Sequence, residues 1–104
     1  MRNNTHCRDG LKESHKELVI ESLLKRDTVK AAWLFGSRAM GTYRPNSDID
    51  LVLEGERITL SDVAAVLSEI ELTTIPYKVD IVIKHKITSE KLLEHIEQYG
   101  VRWL

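Results

Sequence analysis

The chain has 104 residues, enough for one small domain. Its content of 42% hydrophobic and 30% charged residues is typical of a globular domain and argues against disorder. With 15 basic and 16 acidic residues the formal net charge is -1, which argues against nucleic-acid binding through general attraction but leaves a local basic patch possible.

The chain is predicted to start with a flexible tail over residues 1–10, followed by a single domain over residues 11–104. The tail is polar and lacks the apolar core of a signal peptide, and the only cysteine, Cys7, has no partner for an internal disulfide. Apolar residues recur at near-helical spacing over residues 11–26, which predicts an amphipathic helix. A reducing cytoplasm is the expected compartment.

Two strands are predicted around a glycine turn. Residues 28–35 (TVKAAWLF) form a short, mostly apolar run that ends at Gly36 and Ser37, and they are predicted to be a buried strand. The apolar run is far too short to span a bilayer. A helical turn is predicted over residues 37–41 and a second strand over residues 48–53 (DIDLVL).

The second half of the chain is predicted to alternate helices with one strand. In order, these elements are a helix from Thr59 to about Leu72, a strand over residues 78–84 (KVDIVIK), a helix from Thr88 or Ser89 to Tyr99, and a short apolar segment over residues 101–104. Asp62 is in the capping-box position of the first of these helices, where Glu or Gln is more usual. Gly100 is expected to end the last helix.

These elements predict an α/β (α+β) domain, a two-layer sandwich in which helices cover a small sheet. Three apolar strands need at least one layer of helices over them. The pattern alone leaves open whether neighbouring strands run parallel or antiparallel.

Three aspartates are the candidate catalytic and metal-binding residues. Asp48 and Asp50 project from the same side of their strand because side chains alternate along a strand. Asp80 lies in a run of β-branched residues, where a carboxylate is costly unless it is paired or bound to metal. If the two strands are neighbours, the three acids converge, and a hard divalent cation would relieve their repulsion.

The turn between the first two strands supplies candidate phosphate ligands. Gly36 would allow a sharp turn and close approach of the backbone to a ligand. Ser37 offers a hydroxyl, and Arg38 and Arg44 in the same loop offer guanidinium groups that pair well with phosphate. Each feature alone is common in proteins without such a site. Their occurrence in this order on consecutive strands favours a functional site.

Other polar and aromatic side chains are assigned no role in the site. The histidines are interpreted as surface residues and the tryptophans as packing residues: His6, His15, His85, His95, Trp33 and Trp103. Ser37 has no nearby base that would make it a covalent nucleophile. Tyr43 is interpreted as an exposed loop residue.

At these residues the chain resembles the polymerase-β-type nucleotidyltransferase superfamily. The superfamily motif is a strand, Gly-Ser, about ten residues, an Asp-x-Asp pair and a later third acid. In this chain ten residues separate Ser37 from Asp48, and Asp80 stands in the context of the third acid. The resemblance runs from about Val29 to the last helix and implies a polymerase-β-like fold with a small mixed sheet.

The shortness of the chain further resembles the minimal nucleotidyltransferases, many of which are antitoxins paired with a helical HEPN toxin. The resemblance implies that Gly36 and Ser37 hold the triphosphate of ATP. It implies that Asp48 and Asp50 bind Mg²⁺, and that Asp80 completes the site and helps to activate the acceptor hydroxyl. The implied reaction is transfer of AMP from ATP to a hydroxyl, in some members a tyrosine of the toxin.

Two other functions remain open from the sequence. The domain could be a binding module that neutralises a HEPN partner by complex formation without catalysis. It could also be a magnesium phosphatase of the haloacid dehalogenase type, which Asp48-Ile49-Asp50 would suit. In that class the apolar strand precedes the aspartates, whereas here the apolar residues follow Asp48, and Gly36-Ser37 would have no role.

Overall fold

The computed structural model describes residues 9–104, so Cys7 and most of the predicted tail lie outside the described residues. Asp9, which was assigned to the tail, is packed against the domain and only 7% exposed. Its carboxylate accepts a hydrogen bond from the amide of Leu11 at 3.0 Å. Asp9 therefore packs with the domain.

The predicted helices and strands are present, with small shifts of their ends. In chain order the elements are α1 (Glu13–Leu24), β1 (Ala31–Phe35), α2 (Gly36–Met40), β2 (Ile49–Glu54), α3 (Leu60–Glu71), β3 (Val79–Ile83), a 3₁₀ turn (Lys84–Lys86), α4 (Glu90–Tyr99) and β4 (Val101–Arg102). Among residues 9–104, no helix is both long enough and apolar enough to cross a membrane.

The strands form one mixed sheet in the order β3-β2-β1-β4. Strand β2 is antiparallel to β1 and parallel to β3, and β4 is antiparallel to β1. The α+β class is confirmed. The sequence predicted β4 only as an apolar end segment. Its two residues form a strand through pairing with Trp33 and Leu34 of β1, and such pairing is not visible in the local sequence.

Alternation along β2 separates two apolar clusters on opposite faces of the sheet. Ile49, Leu51 and Leu53 join the main core, to which α1 and α3 contribute. Val52 joins a smaller cluster with Phe35 and α4 residues. Helix α4 thus adds a partial cover on the second face, which is also the face of Asp50.

Helix α3 begins as the sequence predicts, at a capping box formed by Thr59 and Asp62. The Asp62 carboxylate also pairs with the Arg26 guanidinium at 2.7 Å. The hydrogen bond from Arg26, together with the Thr59 amide, lowers the pKa of Asp62 to about 2. Aspartate suits this capping box because its carboxylate caps the N-terminus of α3 and also pairs with Arg26, which follows α1.

Candidate functional site

The glycine turn brings the backbone against a carboxylate. Strand β1 ends at the buried Phe35, and Gly36 opens α2 with φ +77°. A Cβ placed on Gly36 would collide with Oδ2 of Asp50. Positive φ and close approach both favour glycine at this position, so the turn lies directly against the Asp50 carboxylate.

Asp50 and Asp80 lie side by side on the same face of the sheet. They are register partners in the parallel pair formed by β2 and β3, and partners in such a pair point to the same side. Asp48 lies two residues before Asp50, just ahead of β2. The neighbouring strands required for convergence of the three acids are therefore present.

Negative charge accumulates around Asp50. Burial raises its pKa, the nearby carboxylates of Asp80 and Asp48 raise it further, and His95 opposes them. Desolvation and like charge both disfavour an ionised carboxylate. A cation bound beside these groups would relieve both effects.

The three acids do not form a closed set of metal ligands. Within residues 9–104, no three histidine, cysteine or acidic side chains are arranged to hold a metal ion. Asp80 is about half exposed, and the nearest ammonium nitrogen, Nζ of Lys78, is 4.0 Å from its Oδ1. The donors still fit a hard divalent ion, since carboxylate oxygens are its preferred ligands and the pKa of Asp50 is raised by burial and then by the two neighbouring carboxylates.

Ser37 is the second residue of α2 and is partly buried. It directly follows Gly36, the residue whose Cβ position is occupied by Asp50; a phosphate contact by Ser37 remains a prediction. Its carbonyl accepts hydrogen bonds from the amides of Gly41 and Thr42, which close the short helix. These two hydrogen bonds engage the Ser37 carbonyl at the C-terminal end of the helix.

Arg38 is placed differently from the predicted phosphate contact. It is 1% exposed, and its guanidinium donates to the carbonyls of Asp9 at 2.7 Å and Ser47 at 2.9 Å. The guanidinium also stacks on Tyr77 and Tyr43, 4.4 and 5.1 Å from the ring centres. This geometry favours a structural role for Arg38, which ties α2 to the loop before Asp48.

Arg44 lies in the exposed loop between α2 and β2. Its amide donates to the hydroxyl of Ser47 at 2.8 Å, which shapes the approach to Asp48. A phosphate contact by the Arg44 side chain remains a prediction.

His95 contacts the glycine turn, although the sequence interpretation placed it on the surface. Its Nε2 accepts a hydrogen bond from the Gly36 amide at 2.9 Å. The signal that could have located it is its spacing with Leu92 and Tyr99, which puts all three on one side of α4. A histidine on the apolar side of a helix is a candidate for an inward contact.

The family model described as "Polymerase beta, Nucleotidyltransferase" matches residues 17–102. The chain belongs to this nucleotidyltransferase family. The match covers most of the chain and includes the glycine turn and all three acids. No curated protein shows significant sequence similarity to the domain.

Solved structures share the fold of the nucleotidyltransferase domain. One is a toxin–antitoxin structure with AMP-PNP, with TM-score 0.71, 21% identity, and coverage of 86% of this chain and 72% of the other. A second contains a tri-AMPylated Shewanella oneidensis HEPN toxin with its MNT antitoxin, at TM-score 0.68, 16% identity, and coverage of 90% and 72%. The MntA–HepT toxin–antitoxin structure matches at TM-score 0.67 and 17% identity, with coverage of 89% and 72%. At these identities the similarity establishes a common fold.

Proposed function

We propose that the chain transfers AMP from ATP to a hydroxyl group of a HEPN-type partner protein, with Mg²⁺ as cofactor, and so acts as an antitoxin. The observation that carries the proposal is the contact between Gly36 and Asp50, with Asp80 paired to Asp50 on the same face. It joins a turn suited to phosphate with acids suited to a metal. The fold shared with antitoxins of HEPN toxins supports the choice of partner.

In the proposed reaction, an acceptor hydroxyl attacks the α-phosphate of ATP and pyrophosphate leaves. Asp48, Asp50 and Asp80 would hold Mg²⁺, which supplies positive charge opposite the phosphate oxygens. The Gly36–Ser37 turn would bind and orient the triphosphate. Asp80, at the exposed side of the acid pair, would take up the proton of the acceptor hydroxyl.

The different surroundings of Asp50 and Asp80 support distinct tasks for these two acids in the proposed reaction. Asp50 is the more enclosed and contacts the turn, so it would set the distance between metal and phosphate. Asp80 is the more accessible, with about half of its side chain exposed. An acceptor from a partner protein can reach Asp80 from solvent. This difference supports approach of the acceptor from the Asp80 side.

The proposed transfer can be tested by intact mass spectrometry of both proteins. The chain is incubated with Mg²⁺, ATP and the protein encoded by the adjacent gene. We expect AMP adducts on the partner. Asp48→Asn should slow their formation by at least ~100-fold, because the loss of a proposed Mg²⁺ ligand weakens stabilisation of the charge that develops in the transition state. Chelation of the metal by EDTA should have the same effect.

Asp27→Asn is the matched control because Asp27 is an exposed acid outside the site, and it should leave the rate unchanged. Complex formation without an adduct or released pyrophosphate would contradict transfer. That result would support the alternative function, a binding module that neutralises the partner by occupying it.

A further inference from the structure

His95 links the last helix to the glycine turn. It lies in α4, 59 residues along the chain from Gly36, and its Nε2 accepts the Gly36 amide at 2.9 Å. Because Nε2 is the acceptor, the ring proton of the neutral imidazole is on Nδ1. The contact connects the helix on the acid face directly to the start of α2.

The imidazole is held by aromatic neighbours. Phe35 contacts it edge-on, with ring centres 6.1 Å apart, and Tyr99 packs at 5.2 Å. Phe35 comes from the end of β1 and Tyr99 from the next turn of α4. Contacts with one ring from β1 and one from its own helix limit the orientations of the imidazole, so its acceptor atom has a defined position.

Gly36 is consequently constrained by two groups. His95 fixes its amide, and the Asp50 carboxylate occupies the space where a side chain would be. Helix α2 has only five residues and gains little stability of its own. External contacts must therefore supply most of the order of the turn.

We propose that His95 is a positioning residue that holds the Gly36–Ser37 turn in register with Asp50 for nucleotide binding. This inference rests on the proposed function, because it assigns the turn to the triphosphate. The histidine acts through the Gly36 amide without contacting the nucleotide itself. Its loss should weaken nucleotide binding while the fold persists.

Two substitutions distinguish the contribution of the acceptor atom from that of the aromatic ring. His95→Phe keeps an aromatic ring between Phe35 and Tyr99 but removes the acceptor. His95→Gln removes the ring but keeps an acceptor oxygen at a similar reach. His85→Gln is the control, because His85 is an exposed histidine.

The experiment measures amide-proton exchange of Gly36 by NMR and the Kd of AMP-PNP with Mg²⁺ by calorimetry, with thermal unfolding as a check of the fold. In His95→Phe we expect Gly36 exchange and the Kd both to rise about tenfold, the scale of one lost hydrogen bond. His95→Gln and the control should stay within about twofold of the wild type for the same reason.

Unchanged exchange and Kd in His95→Phe would overturn the inference, as would equal losses in the Phe and Gln variants. If the wild-type protein fails to bind AMP-PNP, the proposed function fails and the role of the turn in nucleotide binding fails with it. Binding by the wild type with no response in His95→Phe leaves the proposed function standing and rejects only the role of His95.

Discussion

Gly36→Ala is expected to reduce AMP transfer by about 100-fold or more, since misplacement of a reacting group by about 1 Å can have that effect. The new Cβ would occupy the space of the Asp50 carboxylate oxygen. The side chain of Asp50 can rotate away, so the collision is relieved at the expense of the acid's position. Positive φ at alanine adds a stability cost of about 1–2 kcal/mol.

Gly41→Ala provides the matched control for this substitution. Gly41 also has positive φ, +81°, but a Cβ there would meet no atom within 4 Å. Both variants should lose about 1–2 kcal/mol of unfolding free energy, measured by urea denaturation, while only Gly36→Ala should lose transfer. Equal activities in the two variants would show that contact with Asp50 has no functional importance.

Arg38→Met is expected to lower the free energy of unfolding by about 2–5 kcal/mol, because the carbonyls of Asp9, Ser47 and Pro45 lose their donor at a buried site. Methionine keeps much of the apolar stem, so the loss reports mainly on the guanidinium. For a domain whose total stability is on the order of 5–15 kcal/mol, this is a large fraction.

The exposed Arg44 lies in the loop that follows α2, which makes Arg44→Met the control for Arg38→Met. We expect it to change stability by less than about 0.5 kcal/mol. Urea denaturation of both variants measures the difference. A stable Arg38→Met protein with weakened ATP binding would contradict the structural role and restore the predicted phosphate contact.

The common orientation of Asp48 and Asp50 was predictable because the alternation of side chains along a strand is a local property. The spacing of Asp48 and Asp50 places them on one side, and the β-branched residues around Asp80 mark its strand. The sequence did not determine that β2 and β3 are parallel neighbours, since this depends on how the whole sheet assembles. The register that pairs Asp50 with Asp80 is therefore a finding of the structure.

Arg38 and His95 show where local patterns are insufficient. An arginine in a polar loop has the same donors whether it meets phosphate or backbone carbonyls, and only the packing of Asp9 and Ser47 around Arg38 reveals the choice. The contact from His95 to Gly36 depends on how α4 lies across the sheet. Strand β4 likewise exists only through its pairing with β1.

The proposed joint site for metal and nucleotide, formed by the acids and the glycine turn, can be examined crystallographically. Its most direct test is anomalous diffraction from crystals grown with Mn²⁺ and AMP-PNP. We predict a manganese peak bound by Asp50 together with Asp48 or Asp80, and a triphosphate against Gly36 and Ser37. Nucleotide and metal bound elsewhere, or Asp80 turned to the opposite face from Asp50, would contradict the account.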